Sequence, residues 1–237
     1  MIKTYLKLVG AAIALTMVIS VFSAASVILQ LTDNGIIACQ IAAFLLLAVV
    51  LFLYMKKQDA SLQTFGFTKK VVAKKIYGFI ALVVAIQPII LGIDFSLSLT
   101  TIGLIVIQMI LVGFVEESLF RSIFRYYLKN NKPKTYLLFS SIIFGVLHLA
   151  SGLNPDAAPV LVLLQIVNAL LLGLVFALLY YHTQTIYLVM IFHSLFNIFA
   201  SITLAGSLQQ NILAVTLLTI CYISFLAYYF KKTFAKK

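Results

Sequence analysis

Tryptophan is absent from this 237-residue chain, and acidic residues number only six, prolines four and cysteines two. Each shortage narrows what the protein can be. Charged residues make up 10% of the sequence against 63% hydrophobic ones, too apolar a balance for a water-soluble core. Cys39 and Cys221 sit in the middle of apolar runs with no CxxC neighbour, which speaks against a disulfide or a thiolate metal site and leaves packing as the better account. There is no HExxH zinc signature. Only Pro88 and Pro159 touch apolar runs, so the broken helices of a transporter have little support. No polar stretch is long enough to be a soluble domain, and no low-complexity tract or convincing repeat occurs.

What the chain has instead is apolar length. Runs long enough to cross a bilayer as helices recur eight times, at about residues 8–32, 34–55, 76–93, 97–124, 135–150, 158–180, 184–206 and 210–230. Their length and lack of alternation predict helices and not a barrel. The expected fold is all-α: one polytopic membrane domain over residues 1–237, with about eight transmembrane helices. The first run is too long for the apolar region of a signal peptide and reads as a retained span.

The net charge of +11 would suggest a nucleic-acid partner in a soluble protein, but its distribution argues otherwise. Lys3 and Lys7 precede the first span, and Lys56, Lys57, Lys69, Lys70, Lys74 and Lys75 lie between the second and third. Arg121, Arg125, Lys129, Lys132 and Lys134 lie between the fourth and fifth, and Lys231, Lys232, Lys236 and Lys237 follow the last. Eight spans put all 17 basic residues on one side, while the opposite loops carry Asp33, Asp94 and Asp156. The positive-inside rule then predicts both termini in the cytoplasm, with anionic lipid headgroups as the partner of the lysines and no nucleic acid.

Three loop readings follow. The stretch 56–75 mixes lysines with Leu62, Phe65, Phe67, Val71 and Val72, and is expected on the cytoplasmic surface, either with its apolar residues dipped into lipid or as a plain basic loop. Asn154-Pro155-Asp156 predicts a turn on the outer side, and Asp94 a helix cap before the fourth span.

Strongly polar residues inside spans are costly and usually face the bundle. Here they are Glu116, Glu117, Arg121, His148, His193 and Asn197, with Gln165 and Asn168 as candidates for interhelical glue. Glu116 precedes Arg125 by nine residues, which puts it roughly 13 Å below the cytoplasmic surface. His193 follows Thr183 by ten, roughly 15 Å deep, and His148 follows Lys134 by 14, at most about 21 Å. Three helices thus bring ionisable groups to overlapping depths. Glu117 and Arg121 are i,i+4 with the acid first, a structural ion pair. Glu116 points about 100° away and has no partner on its own helix, which frees it to act as a general base. Phe144 and His148 share one helix face, as do His193 and Asn197. The histidines could bind a water, a metal or an oxyanion, and Asn197 is a neutral oxyanion donor.

EESLFR (116–121), FGVLH (144–148) and HSLFN (193–197) resemble, in order, the EExxxR, FxxxH and HxxxN motifs of the CPBP family of intramembrane proteases, also called the CAAX-protease and bacteriocin-processing or Abi family. The resemblance covers about residues 100–200, a family-like catalytic core. It implies an eight-helix protease whose site opens toward the cytoplasm. Glu116 would activate water with help from His148, His193 and Asn197 would stabilise the oxyanion, and Glu117, Arg121 and Phe144 would support the site. The family has been described both as metalloproteases and as metal-free glutamate proteases. Zn2+ held by Glu116, His148 and His193 is therefore a candidate cofactor, although a Glu–His pair without obligatory metal is the favoured reading. The resemblance further implies a bacterial plasma-membrane protein that acts on a membrane peptide or a lipidated peptide, in bacteriocin self-immunity or peptide processing. Two other readings remain: a non-catalytic immunity or scaffold protein, and a proton-coupled transporter built on the same buried Glu and His. The substrate and the oligomeric state are open.

Overall fold

The computed structural model describes residues 2–153 and 158–234. The turn expected at Asn154-Pro155-Asp156 lies outside them. Among the described residues there are nine α-helices: α1 (Ile2–Ile28), α2 (Asp33–Gln58), α3 (Lys74–Leu91), α4 (Leu99–Glu117), α5 (Phe124–Leu128), α6 (Pro133–Leu147), α7 (Pro159–Thr183), α8 (Ile186–Ser201) and α9 (Leu208–Phe234). A π-helical turn, Ser118–Ile123, joins α4 to α5, so Leu99–Leu128 forms one rod. Among the described residues there is no strand, only an isolated antiparallel bridge between Ile93 and Thr203. The protein is a polytopic all-α bundle.

Each of the eight expected segments contains a helix, but seven rather than eight are long and apolar enough to cross a membrane. The exception is α8, with 16 residues where 184–206 was expected. At 1.5 Å per residue it spans roughly 24 Å, less than the ~30 Å of a hydrocarbon core. Its end is set by backbone pairing: the Ile202 carbonyl accepts from the Asp94 amide at 2.8 Å, and the Leu204 amide donates to the Gly92 carbonyl at 3.1 Å. The chain leaves the helix to meet the α3–α4 connection.

Local chemistry explains the helix starts. Pro133 and Pro159 occupy first turns, where a missing N–H costs nothing. The Ser98 hydroxyl accepts from the Thr101 amide at 3.1 Å and caps α4. Asp94, expected in that role, instead accepts from the amide and hydroxyl of Ser96 and shapes the preceding turn. Those bonds hold its carboxyl below the usual carboxylate range.

The basic ends of the helices meet in space. Near the N-terminus the Tyr5 hydroxyl accepts from Asn131 at 2.7 Å and its ring packs on Phe139. Lys134 lies over the Phe234 ring at 5.9 Å, and Lys75 over Tyr228 at 4.5 Å. The start of α1 and the end of α9 therefore sit at one lysine-rich rim. Asp33 and Asp94 mark the opposite end, where the Thr101 hydroxyl donates to Asn34 at 3.0 Å.

The α2–α3 connection does not lie on lipid as expected. Phe65 is fully buried and Leu62 nearly so, while Val71 is wholly exposed. Asp59 ties the segment by accepting from the amides and hydroxyls of Ser61 and Thr64, and these bonds hold its carboxyl far below the usual range. The Phe65 carbonyl accepts from the Ser122 hydroxyl at 2.6 Å, and the Gly66 carbonyl from the Ile186 amide at 2.8 Å. Gly66, at φ +83°, lies where any side chain would strike Tyr180. Bundle polar groups reward the loop for turning inward, which lipid cannot do.

Two substitutions test this seating. Phe65→Ala should cost about 3–5 kcal/mol by leaving a cavity, and Val71→Ala should change stability by less than about 0.5 kcal/mol. Thermal unfolding in detergent reads both; equal effects would contradict the buried loop.

Candidate active site

The site begins with a close helix crossing. At Gly113 of α4 an added methyl would stand 2.9 Å from the Met190 carbonyl oxygen of α8 and nearer still to the Ser194 hydroxyl. Only hydrogen fits there, and the resulting approach brings the next turn of α4 against His193.

That next turn ends in Glu116 and Glu117. The Glu117 carboxylate is fully buried and takes two partners: Arg121 Nε donates to Oε2 at 2.9 Å, and His193 Nδ1 meets Oε1 at 2.9 Å. A carboxylate accepts, so the imidazole proton sits on Nδ1 and leaves Nε2 as the free nitrogen. Nε2 lies 3.7 Å from Glu116 Oε2, and the Glu116 side chain keeps 16% of its surface exposed. The imidazole found within 4 Å of Glu116 is thus that of His193.

Arg121 starts from the π turn, all six residues of which are buried. Its Nη1 donates to the Ser140 hydroxyl at 2.5 Å, and that hydroxyl donates to the Phe120 carbonyl at 2.7 Å. Its Nη2 finds no hydrogen-bond acceptor among the described residues. The guanidinium instead lies among aromatic faces, 4.8 Å from the Phe144 ring centre, 5.8 Å from Phe176 and 6.0 Å from Phe120. Phe144 also packs edge-on against His193, at 5.9 Å, and against His148, at 4.9 Å. It is the shared wall of the site.

A cavity of about 300 Å³ opens beyond these rings. Phe144, His148, His193 and Asn197 all line it. His148 Nδ1 donates to the Phe144 carbonyl at 2.8 Å, so its Nε2 is also free. Glu116, 3.7 Å from His193 Nε2, is not part of the cavity wall. Five carboxamides contribute to the lining: Gln87, Gln165, Asn168, Asn197 and Asn211. Gln165 accepts from the Ser151 hydroxyl at 2.7 Å and Asn168 from Tyr222 at 3.2 Å, so both join helices as expected while facing the chamber as well. Gln87 and Asn211 were not singled out from the sequence; their only signal was an amide within an apolar helix.

The fit to a metal is poor. Among the described residues no group of three or more His, Cys, Asp and Glu side chains is placed to hold an ion. The candidate ligands Glu116, His148 and His193 each keep a free donor atom, but the three are not brought to one point.

The Gly113 crossing yields a paired prediction. Gly113→Ala should destabilise the protein by about 1–3 kcal/mol through overpacking. Gly103→Ala, on the same helix with open space around it, should be stabilising by up to about 1 kcal/mol. Thermal unfolding decides; like signs for the two would remove Gly113 from the account.

Residues 98–199 match the family model described as Rce1-like, type II CAAX prenyl endopeptidase. Every motif residue, from Glu116 to Asn197, lies within that stretch. No curated protein and no solved structure matches the chain.

Proposed function

We propose that this chain, whose residues 98–199 match the Rce1-like family model, hydrolyses a peptide bond of a membrane-associated peptide by a Glu–His mechanism. One observation carries the reading: a partly open carboxylate, Glu116, faces the free nitrogen of an imidazole whose other nitrogen is fixed by a buried carboxylate.

Glu116 Oε2 and His193 Nε2 are both acceptors, so a water between them can donate a hydrogen to each. As the water oxygen attacks the scissile carbonyl carbon, its proton passes to this pair and the carbonyl becomes a tetrahedral oxyanion. Asn197 Nδ2, one helical turn from His193 on the chamber wall, is the neutral donor for that oxyanion. Collapse breaks the C–N bond, and the stored proton goes to the departing amine. Glu117 holds the His193 tautomer and stabilises the imidazolium when it forms, as the acid of a Ser-His-Asp triad does. Arg121 Nε holds the other Glu117 oxygen at 2.9 Å and so fixes the orientation of that carboxylate. His148, across Phe144, is the second free imidazole and serves proton transfer to the leaving group. The carboxamides suit a peptide, since each pairs a donor with an acceptor as a backbone amide does.

The test compares membranes carrying wild type with membranes carrying Glu116→Gln at equal protein level, by mass spectrometry of new peptide termini. Cleavage should fall at least ~10²-fold in the variant. Termini unchanged by the substitution would remove the hydrolytic reading. A phenotype that survives in the variant would favour a binding role, such as the sequestering partner in bacteriocin immunity.

A further inference from the structure

The chamber is asymmetric along the bundle. Leu91 is the last residue of α3, Leu161 the third of α7, Ala200 the penultimate of α8 and Asn211 the fourth of α9, and all four line it. These helix ends lie together at the aspartate-marked end, where the Gln210 amide also donates to the Ile90 carbonyl at 3.2 Å. The remaining lining residues come from the same halves of their helices, down to His193 and Leu218 near mid-length. None comes from the turns next to the lysine-rich rim.

On the lysine side the path is shut. Arg121, Ser122, Ile123 and Phe124 are buried, and Phe65 of the α2–α3 loop seals against them through the Ser122 bond. Tyr180 is buried against Gly66, and the Gly66–Ile186 backbone bond ties the loop to the start of α8. The resemblance implied an opening toward the cytoplasm; the chamber reaches the other end.

We infer that substrate is admitted from the face opposite the lysine-rich rim. Because the positive-inside rule sets that rim in the cytoplasm, the peptide is presented from the exoplasmic side. This rests on reading the chamber as the hydrolytic site and adds to it the side from which the substrate comes. The lining carries no Asp, Glu, Lys or Arg and has five carboxamides, which suits a neutral, extended segment and not a charged one.

Thiol accessibility tests this in the full-length protein. Cys39 and Cys221 are first replaced by alanine, since both are free. Single cysteines then go to Ala200, in the chamber, and to Lys70, exposed on the rim loop. Ala214→Cys, on another chamber wall, serves if Ala200→Cys does not accumulate. A membrane-impermeant maleimide should modify the chamber cysteine in right-side-out vesicles at least 10-fold faster than in inverted ones, and Lys70→Cys the reverse. A chamber cysteine that reacts faster in inverted vesicles, or from neither side while reacting in detergent, overturns the inference. So does a Lys70 cysteine that reacts from outside. Labelling needs no turnover, so its failure is separate from that of the hydrolytic reading, which the Glu116→Gln comparison decides.

Discussion

A fully buried guanidinium among helices must find an anion, because the cost of taking the charge out of water is several kcal/mol. Arg121 finds Glu117, and Glu117 has a second oxygen left over for His193. The ion pair is therefore better understood as a constraint on orientation than as a source of stability. Its effect is to fix which imidazole nitrogen carries the proton and which one faces Glu116. The aromatic faces of Phe144, Phe176 and Phe120 complete the guanidinium's surroundings where no acceptor is present among the described residues. The same Phe144 forms the wall shared with His148, so the charged relay and the cavity are built on one ring.

Two backbone features make the relay reachable. Gly113 lets α4 and α8 approach closely enough for Glu117 to reach His193. The π turn after Glu117 then carries Arg121 toward Ser140 and Ser122 toward the Phe65 carbonyl. Such turns are costly and occur often at functional sites. Here the turn sets the relay and the seal against the lysine side in six consecutive residues, which leaves the chamber to extend the other way.

Much of this was legible in the sequence. Apolar run length located each helix, and the lysine distribution matched a single basic rim in space. The i,i+4 spacing of Glu117 and Arg121 placed both on one face, and the three motifs that carried the family resemblance all lie within the matched residues 98–199. Other features were not legible, for identifiable reasons. That His193 Nε2 lies 3.7 Å from Glu116 could not be read from spacing along separate helices, because it depends on the Gly113 crossing. Nothing in SLFRSI announces a π turn. Leu62 and Phe65 looked like lipid-facing residues because hydropathy does not distinguish lipid from protein interior; the carbonyl acceptors of Phe65 and Gly66 settle the difference. The early end of α8 depends on a backbone pairing with residues more than 100 positions away.

Everything in the site depends on Glu117 holding His193 with its proton on Nδ1 and Nε2 bare toward Glu116. The chain has three histidines, so nitrogen NMR of protein labelled with ¹⁵N-histidine can read each ring, with His193→Gln assigning the signal. A neutral His193 with a protonated Nδ1 and an unprotonated Nε2 is the predicted result. A His193 ring protonated on Nε2 alone would contradict the relay and the mechanism built on it.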